Sequence, residues 1–520
     1  MMNKKNKIIA VLVVLLVVTV SAFQGTHHIV GNVNNTRFAD QYPGSDCGAK
    51  INAADTELGS AAGEIWVNNS CGLAWSTLVN LHAGHVLRFS QGGTYSLSAG
   101  ITMAGNSMLA GTTSAMAVNT TAAVTLQMAS GQNLSALITV DGPYAVIQDL
   151  AIEGNKSNNA TGGSGIVATH KASRLELNRV TVGNFQTNGV TLNGVASPKI
   201  FKLATYQNSN DGLYCNGPTG GGDGFVSDSE FENNLGNGIE INSCPAWRIQ
   251  HSDFGQNSQT LHGSCGLNIY GANRAPSNFE IITNNQFGGQ FRDDLCINGS
   301  GNTSGGSNIV GNSFIGSGFL LAPNTYSHLV LVDGGLNVVS GNVFSASPRR
   351  TSNQYAISVT ETHPGGALGN RIVDNVFVDS ADNGGSPPWG TARVLDSTAN
   401  GITCFNASIV LSSGWGIGNA VTSANGYFPT CSFVINSGRA SFSASPTVSL
   451  NFPGSLIQVF NQAPVCQLNV VAITGSGGSI LFNPTGTSIT STVWTAQTST
   501  GAPFTPAASE TYKVVLSCSP

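Results

Sequence analysis

Charged side chains are scarce in this 520-residue chain: Asp, Glu, Lys and Arg make up 9% of it, 21 basic against 26 acidic, for a formal charge of −5. A nucleic-acid footprint is a basic patch or stripe, so nucleic acid is set aside as a partner. Strong helix formers are also few, while 64 Gly join abundant Asn, Ser and Thr, which argues for strands and turns. Hydrophobic residues at 41% and aromatics at 8% are too many for a disordered chain. No C-x-x-C, H-E-x-x-H or G-x-S-x-G occurs, so no zinc, dithiol or serine-hydrolase motif stands out and no metal ligand is picked out.

Long apolar runs are missing too, with one exception. Lys4, Lys5 and Lys7 precede a run from Ile8 to Val20, and Val20-Ser21-Ala22 offers small residues for cleavage. This is the pattern of a secretory signal peptide cut after Ala22, and the run is short for a membrane span. The expected location is secreted or cell-surface, with no membrane contact beyond the signal. Ten cysteines in an exported chain read as disulfides.

What the chain does contain is a repeat. IITNNQF (281–287), IVGNSF (309–314), VVSGNVF (338–344) and IVDNVF (372–377) share one frame: an aliphatic residue, Asn three positions on, and Phe two beyond that. The fourth position of the frame falls at Leu150, Val180, Leu203, Ser229, Ser252, Asn285, Asn312, Asn342 and Asn375, every 23–33 residues. The sixth position becomes Phe at 231, 254, 287, 314, 344 and 377. A second frame, N/D-G-aliphatic-x-aliphatic, lies between, as in NGVTL (188–192) and NGIEI (237–241), and alternates like a strand with one buried face. Repeats of this length mean a solenoid, and the Gly content and lack of a 3.6 period exclude a helical one. A parallel β-helix follows, with coils stacked about 4.8 Å apart, an internal Phe stack and an Asn ladder satisfying backbone groups.

An open solenoid end needs a cap. In SDCGAKINAADTELGSAAGEIWV (45–67), Ile51, Ala54 and Leu58 share a helical face, Gly59 can stop the helix, and GEIWV opens a strand. With Asp46-Cys47-Gly48-Ala49-Lys50 and the Asn/Phe coils, this resembles the pectate lyase superfamily over about residues 46–400. The resemblance implies an all-β, right-handed parallel β-helix with a short N-terminal helical cap. That family spans lyases, polygalacturonases, epimerases and phage tailspikes, so it does not choose an activity. Beyond residue 400 only Arg439, Glu510 and Lys513 are charged and the frame disappears, which marks a C-terminal β-sandwich-like module too poor in ionisable groups for acid/base chemistry. The expected division is a signal peptide at 1–22, a linker at 23–45, the N-terminal cap and first coils at 46–145, the β-helix at 146–400 and the β-rich module at 401–520. Nearby cysteines should pair as Cys47–Cys71, Cys404–Cys431 and Cys466–Cys518; Cys215, Cys244, Cys265 and Cys296 lie on successive coils with their order left open.

Stacked coils turn one frame position into a surface column. The fifth position carries acids only at Glu230 and Asp253, the third brings Lys202, Asp228 and His251 beside them, and Glu232 stands two residues past Glu230. In so uncharged a chain this cluster is the leading site: Asp228, Glu230 and Asp253 catalytic, with Lys202, Glu232 and His251 binding. Glu230 and Asp253 should start about 5 Å apart, and Asp228 and Asp253 about 8 Å, a spacing that suits an inverting glycosidase. The plain alternative is a solvated charge ladder. A second candidate is Asp293-Asp294 in FRDDLCI (291–297), with Glu240, Asp211 and Tyr214 on the neighbouring face. It is similar to the paired aspartates of polygalacturonases, but lacks that family's Gly-His-Gly and Arg-x-Lys; the plain alternative is a turn.

The expected function is action on a polysaccharide, by hydrolysis or elimination at pectin-like or acidic polymers. No cofactor is called for, except that a lyase would add calcium held by carboxylates. A non-catalytic adhesin or carbohydrate-binding solenoid is the rival, and a tailspike-like depolymerase the second alternative.

Overall fold

The computed structural model describes residues 35–112, 124–217, 220–259, 265–271, 279–299, 304–316, 327–345, 355–360, 370–378, 394–396, 408–415, 420–427, 430–437, 441, 443–451, 465–474, 480–487, 491–506, 508–509 and 511–519. The segment read as a signal peptide lies outside them. Among the described residues no helix is long and apolar enough to cross a membrane.

Alternation builds the coils. In Gly63–Val67, Ile65 and Val67 are fully buried while Glu64 and Trp66 face outward. This strand pairs in parallel with His85–Phe89, and that one with Met108–Ala110, and so on coil by coil to Arg371–Val373 and Val376–Val378. A second sheet of twelve parallel strands runs from Val79–Leu81 to Val394–Asp396. The inward residues of both sheets form one continuous core of Ile, Leu, Val and Phe. Crossovers between parallel strands of one sheet run right-handed as a rule. This is the right-handed parallel β-helix that the resemblance implies. Thr36–Phe38, in the segment read as linker, adds a parallel strand beside Gly63–Val67.

The repeat has the expected meaning. Phe231, Phe254, Phe287, Phe314 and Phe344 are buried and stacked, with successive centroids 5.2, 4.7, 4.9 and 4.7 Å apart. Val376–Val378 continues the register, but the Phe377 side chain lies outside the described residues. At the fourth position the Asn285 backbone N–H and side-chain amide both donate to Asn312 Oδ1 (2.9 and 3.0 Å). Asn312 does the same to Asn342, and Asn342 to Asn375. Ser252 and Ser229 extend the ladder toward the N-terminus. A parallel ladder, Asn208–Asn234–Asn257–Gln290, was not read from the sequence.

The third frame position is a corner of the coil. Asp149, Arg179, Lys202, Asp228, His251, Asn284 and Asp374 all have φ between 50° and 60°, and Gly311 and Gly341 occupy the same place at 69° and 64°. Gly, Asn and Asp enter this left-handed region most readily, which accounts for Asp149, Asp228, Asn284, Asp374, Gly311 and Gly341 but not for Arg179 and Lys202.

Helix α1 (Cys47–Leu58) closes the N-terminal end. Asp46 caps it by accepting from Ala49 N (2.9 Å), and also accepts from Ser76 N and Thr77 N, tying the helix to the next turn. Burial opposes ionisation of Asp46, but these hydrogen bonds outweigh it and hold the carboxyl at about 2. Ile51, Ala54 and Leu58 are buried, and Gly59 (φ 63°) ends the helix.

The C-terminal module is two four-stranded antiparallel sheets. Trp415 packs 6.2 Å from Phe482 of one sheet and 5.5 Å from Tyr512 of the other, so aromatics fill the space between them. The disulfides include the expected Cys47–Cys71, and Cys215–Cys244 and Cys265–Cys296 resolve the order left open. Cys466 faces Cys518 in strand register, though their side chains, like Cys404, lie outside the described residues.

Candidate functional site

Strand register gathers part of the leading cluster. Glu230 pairs with Asp253 across adjacent coils, and the same column continues below as Ala204, Thr181 and Ala151. Phe231 and Phe254 point inward, so Glu230 and Asp253 face outward, both half-buried. Glu232 sits beside them, in register with Tyr206 on one side and Gly255 on the other. Gly255 has no side chain to keep Glu232 off, and the Glu232 carboxyl lies against it.

The three carboxyls affect one another. Burial, then the charges of Glu230 and Asp253, push Glu232 up to about 7. Burial and Glu230 also raise Asp253. Glu232 therefore holds its proton near neutrality beside two carboxylates, which is what a general acid requires.

Asp228, Lys202 and His251 stand apart in character. All three are exposed, and all three are left-handed corner residues. Asp228 accepts from the Ser227 hydroxyl (2.6 Å), a local contact that suits a corner. His251 meets the Asn284 amide at 3.5 Å.

Two further residues belong to the patch and were missed. Glu153 lies in the Glu232 column, one coil beyond Gly183 and two beyond Tyr206. The Tyr206 ring lies over Gly183 and its hydroxyl donates to Glu153, which also accepts from Asn184 Nδ2 (2.9 Å). Burial, opposed by the Asn184 hydrogen bond, pushes Glu153 up to about 7. The signal was available: the position after each Phe-frame residue reads Glu153, Gly183, Tyr206, Glu232, Gly255, two acids and a phenol with glycines between and after them. Beside it, Ala151, Thr181 and Ala204 make a floor of small side chains, where the Thr181 hydroxyl is buried without a hydrogen-bond partner.

The second candidate does not assemble. Adjacent residues of a strand face opposite sides. Asp294 is fully buried, its Oδ2 2.5 Å from His328 Nδ1, while His328 Nε2 donates to Ser345 O (3.1 Å). This correction removes Asp294 as a group that could touch a polymer. Asp293 stays partly open and accepts from Ser327 N (2.6 Å); burial outweighs that bond and pushes it to about 7. Glu240 shares a column with Tyr214, Asn268 and Cys296, three residues along the strand from Asp293.

Glu240 instead anchors a polar face on the second sheet. Tyr270 Oη donates to Glu240 Oε1 (2.8 Å), and Asn237 Nδ2 donates to Glu240 Oε2 (2.7 Å) and to Asp211 Oδ1 (3.0 Å). Burial raises both Asp211 and Glu240, and the Glu240 charge raises Asp211 further. Tyr214 and Tyr270 flank this network with Asn242, Asn268 and Asn298.

No protein-family model matches the chain, and no curated protein does. Among solved structures it is similar to the A-module of the Azotobacter vinelandii mannuronan C-5 epimerase AlgE6, at 14% identity and a TM-score of 0.44 over 69% of this chain and 99% of that one. It is also similar to DFA-IIIase from Arthrobacter chlorophenolicus A6 in complex with GF2, at 12% identity and a TM-score of 0.44 over 68% and 100%. A third is the enzymatically active domain of bacteriophage CBA120 tailspike protein 2, at 12% identity and a TM-score of 0.41 over 94% and 70%. All three TM-scores lie below 0.5, so what this chain does must be argued from its own residues.

Proposed function

We propose that this β-helix acts on a polysaccharide, with Glu232 as the proton donor and Glu230 and Asp253 as the carboxylates that work against it. Glu232 carries the proposal: an outward-facing carboxyl pushed to about 7 beside two others, in a chain with few charges. Lys202, Asp228 and His251, exposed on the neighbouring corner column, would contact the polymer, and Lys202 would favour an acidic one. The floor of Ala151, Thr181 and Ala204 beside Tyr206 leaves room for a sugar ring against a phenol. Hydrolysis and elimination both need an acid and a base. Incubation of the purified chain with a polysaccharide panel tests it, with reducing ends read for hydrolysis and absorbance of unsaturated products for elimination. No product from any polymer, with binding retained, would sink the enzymatic reading.

The second reading is a carbohydrate-binding solenoid without catalysis. The face of Tyr214, Tyr270, Asn242, Asn268 and Asn298 favours it, because phenols and amides recognise sugar hydroxyls without needing a charge. Loss of binding in Tyr270→Ala, with the Glu230 patch intact, would place the ligand there.

A further inference from the structure

The N-terminal cap contains a cluster that the proposed function does not use. Asp55 projects from α1 and is 1% exposed. His82 and His85, three residues apart around the Gly84 turn, both direct Nδ1 at its carboxylate. His85 is fully buried with Nδ1 2.6 Å from Asp55 Oδ1; His82 meets Oδ2, and its side chain is 64% exposed. The three ligand atoms lie within 4.8 Å of one another.

The proton count is that of the buried His328–Asp294 pair, and a second imidazole on the same carboxylate sets this cluster apart. His85 Nε2 lies 3.0 Å from the Ala61 carbonyl, which can only accept, so Nε2 carries the ring proton. In a neutral ring Nδ1 is then a bare lone pair facing a carboxylate in a buried place. Two acceptors at that distance need a cation between them, either a second proton or a metal ion. A single imidazolium would satisfy the carboxylate. A second imidazole converging on the other oxygen, at the solvent edge, is what a metal ion adds. The His85–Ala61 contact is also the outer contact that orients a metal-bound imidazole.

We propose that Asp55, His82 and His85 bind one divalent transition-metal ion of the zinc class, which pins helix α1 to the first coils. Two nitrogens and one oxygen suit that class rather than calcium, which prefers oxygen. With metal–ligand bonds of about 2.0–2.2 Å, tetrahedral ligands stand about 3.3 Å apart, so the His85–Asp55 contact opens by less than about 1 Å. The exposed His82 leaves the fourth position to water.

Titration of the full purified chain with Co2+ tests this, read by visible absorption of the bound ion and by thermal midpoint. One equivalent should bind and raise the midpoint, and Zn2+ should displace it. His82→Ala, at an exposed position, should fold normally by circular dichroism and lose at least about tenfold in affinity. Asp55→Asn should lose affinity as well. No uptake by the parent chain would leave a proton-sharing pair and overturn the proposal. Undiminished uptake in His82→Ala would do the same, assigning binding to another group such as His27-His28.

Discussion

Glu230 and Asp253 are register partners on adjacent coils, so their backbones lie one strand spacing, about 4.8 Å, apart with both side chains outward. Glu232 shares that surface, its carboxyl pushed up to about 7. Glu232→Gln and Asp253→Asn keep shape and remove charge. Each should lower turnover by about a hundredfold or more, the usual scale for acid/base groups, with the fold intact by circular dichroism. Asp228→Asn, at an exposed corner that tolerates Asn, should leave stability unchanged and turnover within a few-fold.

Activity should also fall on the alkaline side. Deprotonation of Glu232 removes the donor, so kcat/KM should decline as pH rises through about 7. In Glu232→Gln the residual rate should lose that limb.

Stability should follow pH in the opposite sense to most acid-sensitive proteins. Glu153, Glu232, Glu280 and Asp293 are pushed to about 7 in the fold, from ordinary values of 4.5 for Glu and 3.8 for Asp. Between those values the folded chain holds more protons than the unfolded one, so stability falls as pH rises toward 7. Asp46 acts the other way: its folded value near 2 stabilises above 3.8, and that share is lost as pH falls from 3.8 through 2. Urea midpoints should therefore peak at mildly acidic pH. Glu280→Gln, buried away from the proposed site, should flatten the alkaline slope; an unchanged slope would refute its share.

Removing a rung of the amide ladder should be expensive. Asn312 donates to Ile282 O and Asn342 Oδ1, and accepts two bonds from Asn285. Asn312→Ala leaves several of these buried groups without partners and should cost about 2–4 kcal/mol in chemical denaturation.

Asp294→Ala separates the structural role from a catalytic one. It strips the buried partner from His328 and should cost about 3–5 kcal/mol, the scale for breaking a buried pair. Turnover per folded molecule should stay unchanged.

Much of the solenoid was legible because its signals are periodic. Phe at one phase can only stack, and Asn285, Asn312, Asn342 and Asn375 at one phase can only form a ladder. The third position was harder. Read as a strand position, Asp228 and His251 form a catalytic column; seen as left-handed corners, they owe much of their identity to backbone torsion. The Asp, Asn and Gly content of that column was the only hint. Asp293 and Asp294 show the reverse, since a period of two already forbids neighbours on a strand from sharing a face. Glu153 and Tyr206 were missed because glycines interrupt their column, although those glycines are what let Tyr206 reach across. His82, His85 and Asp55 lie 27 and 30 residues apart across a helix and a turn, where no repeat frame connects them.

The disulfides among the described residues close spans of 24, 29 and 31 residues, each about the length of one coil. A chain under tension from its C-terminal end can peel one turn at a time, because each coil is held mainly by the one beneath it. At Cys296 the peeling strand is hooked to Cys265 on the preceding coil, and at Cys244 to Cys215. Force would cross each bond rather than the chain it encloses, so the spans 216–243, Glu230 among them, and 266–295 would be spared extension, while Asp253, between the two bonds, would carry the load.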